Sequence, residues 1–261
     1  MKRYIILYTH FLRFSFSKAL HFRVDFFFRF IMDMIYYAVL LYFYDVIYEQ
    51  APNFGGWSKE QIRLFLASYF LIDALDMSIF ANNLWMFPVN VNKGDLDIHL
   101  TRPINSLFFL STKEFAASSF LNILFTLSFT IYAFHLIPQK VTFAATVLFA
   151  LLILNGLFLF YIIHLLFLLP VFWTQGTRGF EELYHVSTKL LQNPEQIYAS
   201  PLRFVLKFFI PLALINSVPV QLLFDFQWKN LGVLILISLI CYTAVLKLWK
   251  LSLQKYQSAS S

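Results

Sequence analysis

Residues 143–170 form a run of 28 residues without a single Asp, Glu, Lys or Arg. A helix rises about 1.5 Å per residue, so about 20 apolar residues cross the hydrocarbon of a bilayer. In lipid such a helix satisfies its own backbone hydrogen bonds and exposes only side chains that suit the solvent. Comparable runs lie at about 26–48, 63–86, 106–136, 203–224 and 231–249. Six runs of this kind imply an all-α integral membrane protein with six transmembrane helices. The composition agrees: 13% of residues are charged, against roughly 25% in an ordinary soluble domain.

The third and fourth runs are longer than a crossing needs, and the fifth carries Pro211 and Pro219, which predict a kink or a break. Lys and Arg set the orientation, because they concentrate on the cytoplasmic side. With the N-terminus inside, 16 fall on the cytoplasmic side and four (Lys59, Arg63, Lys140 and Lys229) on the other. Both termini are therefore expected in the cytoplasm. The net charge of +6 then reads as loop charge rather than a nucleic-acid patch.

Residues 1–22 are too charged to span. Lys2, Arg3, His10, Arg13 and Ser17 share one sector of a helical wheel, with Tyr4, Ile5, Tyr8, Leu12 and Phe16 opposite. This predicts an interfacial helix on the membrane surface, and no cleavable signal peptide. Ser58, with Gln61 three residues on, predicts a capping box. The stretch 173–202 reads as a cytoplasmic loop with a surface helix over 180–192, opened by Glu181 and Glu182.

Several polar residues fall inside the apolar runs. Asp73 and Asp76 are three apart and share a helix face, and Arg29 and Asp33 are one turn apart and can pair. Asn155, His164 and Asn216 add polar points in later runs. Such groups mark either a substrate path or proton relay, or contacts that fix how the bundle assembles. The single cysteine, Cys241, excludes an intrachain disulfide. No metalloprotease, nucleophile-elbow or phosphate-loop motif is present, so no catalytic or metal site is expected, and ATP-driven work would belong to another chain.

The most polar stretch lies in the loop 87–105. In NKGDLDIHLTRPIN, Gly94 can take a positive φ, Asp95 can cap a short helix through Leu96, Asp97, Ile98 and Leu100, and Pro103 stops it. The result is a stiff helical turn that could dock on a soluble partner, or a plain solvated hairpin.

Three stretches make the chain resemble the ABC-2-type permease subunits of ABC transporters, in the branch of about 260 residues: HFRVDFF (21–27), KGDLDIHLTRPI (93–104) and NPEQIYASPLRFVLKFFIPLALINSVP (193–219). FWT at 172–174 also fits. The resemblance implies a single transmembrane permease domain, with a coupling region at Gly94, Asp95, Leu96, Asp97, Leu100, Arg102 and Pro103. His99 departs from it, standing where an apolar residue is expected. Also implied are two copies of an ABC ATP-binding subunit that hold ATP and Mg, a second and different permease as partner, no cofactor in this chain, and a bacterial inner-membrane location. The function implied is export. The rival reading is an ion-coupled secondary transporter using Asp73 and Asp76.

Overall fold

With six apolar runs and few glycines, the chain builds helix as its only regular structure among the described residues. The computed structural model describes residues 2–21, 23–51, 53–101, 103–174, 176 and 178–256. In chain order the helices are α1 (Lys2–His21), α2 (Arg23–Gln50), α3 (Lys59–Asp76), α4 (Asn82–Trp85), α5 (Phe87–Asn92), α6 (Leu96–Leu100) and α7 (Ser106–Thr112). They continue with α8 (Phe120–His135), α9 (Phe143–Leu168), α10 (Val171–Thr174), α11 (Arg178–Lys189), α12 (Ser200–Phe208), α13 (Ser217–Phe224) and α14 (Trp228–Lys255).

Among the described residues, five stretches are long and apolar enough to cross a membrane: Phe27–Gln50, Lys59–Asn92, Ala117–His135, Phe143–Thr174 and Trp228–Lys255. The rod from Lys59 to Asn92 is the central one. It starts at the expected capping box, where Ser58 Oγ accepts from Gln61 N–H at 3.3 Å and Gln61 Oε1 accepts from Ser58 N–H at 2.9 Å. Its two ends give the molecule a Lys59 end and an Asn92 end.

The apolar core divides the same way. Phe65, Phe70 and Leu214 belong to the cluster toward Lys59, and Leu84, Leu96, Leu168 and Trp249 to the cluster toward Asn92. The stretch 1–22, expected to lie on the membrane surface, is helical over Lys2–His21 as α1, which packs along 105–120 near the Asn92 end. Tyr4 meets Phe108 edge-on at 5.0 Å, and Phe16 sits 5.8 Å from Phe115 and 5.5 Å from Phe120. Both anchors belong to the apolar sector of the helical wheel.

Two expected spans are corrected. The third, 106–136, is broken: α7 ends at Thr112, and the crossing helix resumes only at a 3-10 turn over Ala117–Ser119. Asn83 holds the break open, since it donates to the Glu114 carbonyl at 2.7 Å and accepts from the Glu114 N–H at 2.9 Å.

The fifth, 203–224, does not cross. Its start is tied to the Lys59 end, where Arg203 donates to the carbonyls of Gln196 and Tyr198 at 2.8 and 3.2 Å, and Gln196 accepts from the Trp57 indole at 3.0 Å. Its finish returns to that end, where Phe224 and Asp225 line a groove with Gly55 and Trp57. Between them the chain dips inward through a 3-10 turn at Leu212–Leu214 and reverses at Asn216. Pro211 stops the inward arm of this re-entrant hairpin before the turn, and Pro219 sits in the first turn of α13, where its missing N–H breaks no helical bond.

The loop expected over 173–202 is corrected for the same reason. Its start lies at the Asn92 end, where Phe172 contacts Phe87 and Tyr256. Its finish lies at the Lys59 end, where Tyr44 donates to the Gln192 carbonyl at 2.9 Å and to Asn193 Oδ1 at 2.8 Å. Between these, α11 runs along the outside of the bundle, with Tyr184 buried against α9 and most of its other residues exposed. Arg203 and Lys207 thereby join the Lys59 end and Lys189 lies on α11 between the ends, so the sixteen-to-four charge split becomes thirteen to six without changing sign.

Candidate functional site

The segment after α5 is built as a rigid turn. Gly94 adopts φ 80°, a conformation that an L side chain rarely takes. This lets Gly94 N–H donate to the Val91 carbonyl at 3.3 Å while its own carbonyl accepts from Asp97 N–H at 3.1 Å. Asp95 occupies the cap position of α6, but at φ −62° and ψ −17° its side chain makes no capping bond, so its expected role as a side-chain cap is not met. Leu96 is fully buried in the cluster that also holds Leu110 and Trp249. Ile98 and Leu100 point away, at 58% and 37% exposure. Asp97 stands beside Tyr256, whose phenol is pushed up to about 12 by burial first and then by the Asp97 and Asp95 charges. Pro103 follows the helix, and Arg102 lies outside the described residues.

A second constellation lies within the bundle. Asp33 on α2 accepts from the Asn122 amide of α8. Arg29, one turn away, is within electrostatic reach of Asp33. On α3, Asp73 accepts from the Tyr37 hydroxyl at 3.3 Å, and Tyr69 pairs with Tyr36 at 3.4 Å. Tyr36 in turn accepts from the Gln192 amide at 2.8 Å, which brings the end of α11's segment to the same face. Asp76 is 2% exposed, and its Oδ1 has no hydrogen-bond partner among the described residues. A π turn over Met77–Ala81 follows at once, and widened turns of this kind recur at functional sites. The turn frees the Ser78 carbonyl to accept from Ala116 N–H at 2.8 Å.

His164 on α9 lies stacked on Tyr184 of α11, rings 3.9 Å apart and 8° from parallel, with Nδ1 unpartnered among the described residues. Tyr184 also stands within electrostatic reach of Asp76 and Asp73. The structure thus strings Asp33, Asp73, Asp76 and His164 along four tyrosines, Tyr36, Tyr37, Tyr69 and Tyr184. The other polar points are assembly contacts. Asn155 donates to Ser238 at 3.0 Å, and Asn216 donates to the Phe65 carbonyl at 2.8 Å while accepting from Ser68 Oγ at 2.7 Å. Sequence reading missed Asn122, Tyr184 and Asn83, because one polar residue in an apolar run carries no sign of its partner. Among the described residues no group of three or more His, Cys, Asp or Glu is placed to hold a metal ion.

Residues 34–260 match the family model of the ABC-2 family transporter protein. The chain belongs to the ABC-2 transporter family. No curated protein and no solved structure matches it. The matched range takes in most of α2 and all the later helices, including Asp73, Asp76, the turn at Gly94 and the re-entrant hairpin, and it leaves α1 and Asp33 outside. An ABC-2 permease is a membrane-spanning transporter component and implies a partner ATP-binding subunit.

Proposed function

We propose that this ABC-2 permease transmits ATP-driven closure of two partner ATPase subunits to a transport path between itself and a second permease, moving its cargo outward. ATP and Mg belong to the partner subunits, and this chain does no covalent chemistry. The observation that carries the reading is the construction of α6: Leu96 is locked into the bundle core while Ile98 and Leu100 stand exposed beside it. A short helix with an anchored side and a free apolar side suits a groove on a soluble partner. It passes displacement directly into the rod that begins at Lys59.

The Asn92 end, with both termini, is read as cytoplasmic, which the Lys and Arg split supports. α11 is read as the crossing that completes six, and α12–α13 as a re-entrant cover on the opposite side. A second permease has a physical motive. Glu182, His185 and Lys189 stand exposed on α11 between the two ends, and charges facing hydrocarbon are costly, about 2.5–3.5 kcal/mol each at mid-bilayer. A partner chain, a relative of different sequence as is common in this branch, would cover them and enclose a path along Asp33, Tyr36 and Asp73. A bacterial inner membrane is the setting this implies.

The test is purification of the tagged protein in mild detergent from its native cells, with mass spectrometry of what stays bound. A phosphate-loop ATPase that co-purifies, and is lost when 94–100 is scrambled at unchanged permease yield, supports the assignment. Absence of any ATPase after mild cross-linking would remove it.

A further inference from the structure

We infer that the carboxylate cluster on α2 and α3 selects an amphipathic organic cation as cargo. The inference rests on the permease reading and adds a substrate class to it. Three carboxylates follow one another along α2 and α3 with few donors among the described residues: Asp33 has the Asn122 amide, Asp73 has the Tyr37 hydroxyl, and Asp76 Oδ1 has none there while being 2% exposed. The charged groups acting on Asp73 and Asp76 are themselves carboxylates, Asp33 on the first and Asp73 on the second. Arg29 acts on Asp33. His164 is stacked on the Tyr184 ring, and His185 acts on it. A buried carboxylate whose surroundings are acidic is stabilised only by a positive charge arriving from elsewhere or by taking up a proton.

The walls decide which cation. The Tyr37 ring is stacked on Phe70 and the Tyr184 ring on His164, which leaves Tyr36, 38% exposed and within electrostatic reach of Asp73, as the aromatic ring open to a desolvated cation. No metal-holding group is present among the described residues, which argues against a bare divalent ion. The cluster is also open on one side: Asp33 and Asp73 are half-buried and Tyr36 is 38% exposed. That side is the one placed against the second permease. A ligand with a positive centre and apolar arms fits carboxylates, ring faces and surrounding aliphatic helix together.

The experiment uses the whole permease–ATPase complex in lipid nanodiscs. Saturable binding and stimulation of ATPase activity are measured with tetraphenylphosphonium and with the neutral triphenylphosphine oxide. The charged probe should bind saturably and stimulate ATPase, and the neutral one should do neither. Asp73→Asn and Asp76→Asn should each weaken binding about tenfold or more, the scale of losing one charge-assisted contact. Equal behaviour of the two probes on the unaltered complex overturns the inference even where a variant fails to assemble. So does binding untouched by both substitutions, or displacement of the probe by millimolar sodium. If the ATPase remains bound through residues 94–100 while the probes behave alike, only the cation preference falls. If no ATPase is bound, the permease reading falls first.

Discussion

The carbonyl oxygen of Ile215 occupies the space into which a β-carbon on Gly156 would project. Gly156 lies midway along α9, and Ile215 sits at the innermost point of the re-entrant hairpin. The hairpin can reach that depth because this one position on α9 has no side chain. Gly156→Ala should therefore lift the hairpin off α9 and destabilise the permease by about 1–3 kcal/mol, the usual scale of overpacking. Gly232→Ala, with open space around its would-be β-carbon, is the control and should be neutral or slightly stabilising. Thermal unfolding of the two variants in detergent separates these outcomes. Equal midpoints would mean that the hairpin does not depend on this contact.

Asn216 holds the same hairpin from the other side. Its amide donates to the Phe65 carbonyl and its oxygen accepts from Ser68, both on α3 and all buried. Asn216→Leu should cost about 1–3 kcal/mol, since it removes both bonds and leaves Ser68 to its own helix carbonyls. Ser68→Ala alone should cost less. In a double-mutant cycle the two should be clearly non-additive, because they share one bond. Additive effects would show that the Ser68–Asn216 bond contributes little.

These contacts explain what the sequence made legible and what it did not. Hydropathy located the crossings at 26–48, 63–86, 143–170 and 231–249, because each is continuous and faces either lipid or core. It misplaced the fifth. Residues 203–224 are apolar enough to span, but a hairpin that dips inward and returns has the same average hydropathy as a helix that crosses. Pro211 and Pro219 signalled a break, whereas the direction of the chain after it depends on Gly156 and Asn216 finding partners far away in sequence. Residues 180–192 suffered the reverse error. Their polar residues made α11 look like a surface helix, although it lies along the bundle with Tyr184 against α9 and its charges outward. At the proposed coupling segment, Gly94, the short helix and Pro103 were all readable locally. The inward turn of Leu96 was not, because it depends on Leu110 and Trp249.

The coupling segment should separate stability from partner binding residue by residue. Leu96→Ala empties a fully buried site and should cost about 2–5 kcal/mol of permease stability. Ile98→Asp should leave stability nearly unchanged, because the side chain is exposed, and should abolish co-purification of the ATPase subunit. Gly94→Val forces a β-branched residue to φ 80° and should uncouple ATP hydrolysis from transport with membrane insertion intact, as should charge reversal at Asp95 and Asp97. Normal ATPase retention in Ile98→Asp would remove α6 as the docking element.

Glu195 gives the permease a pH dependence of defined sign. It is 5% exposed, in the turn at the Lys59 end that follows the α11 segment. Burial raises its carboxyl above the ordinary range, opposed by the nearby Lys207 and Arg203 charges. Lys207 Nζ stays 3.9 Å away, and Oε2 has no hydrogen-bond partner among the described residues, so the charged form is poorly supported. A carboxyl raised in the folded state binds its proton more tightly there than in the unfolded chain. Its contribution to stability is fully present below the unfolded value and is lost as pH rises through the folded one. Glu195→Gln retains the oxygen that accepts from Gln221 and has no charge to bury. The thermal midpoint of the unaltered protein should therefore fall relative to Glu195→Gln as pH rises above the normal carboxylate range, and the two should converge in acid. Parallel curves across that range would show that Glu195 titrates as an ordinary solvated carboxylate, and that Lys207 and Arg203 already compensate its burial.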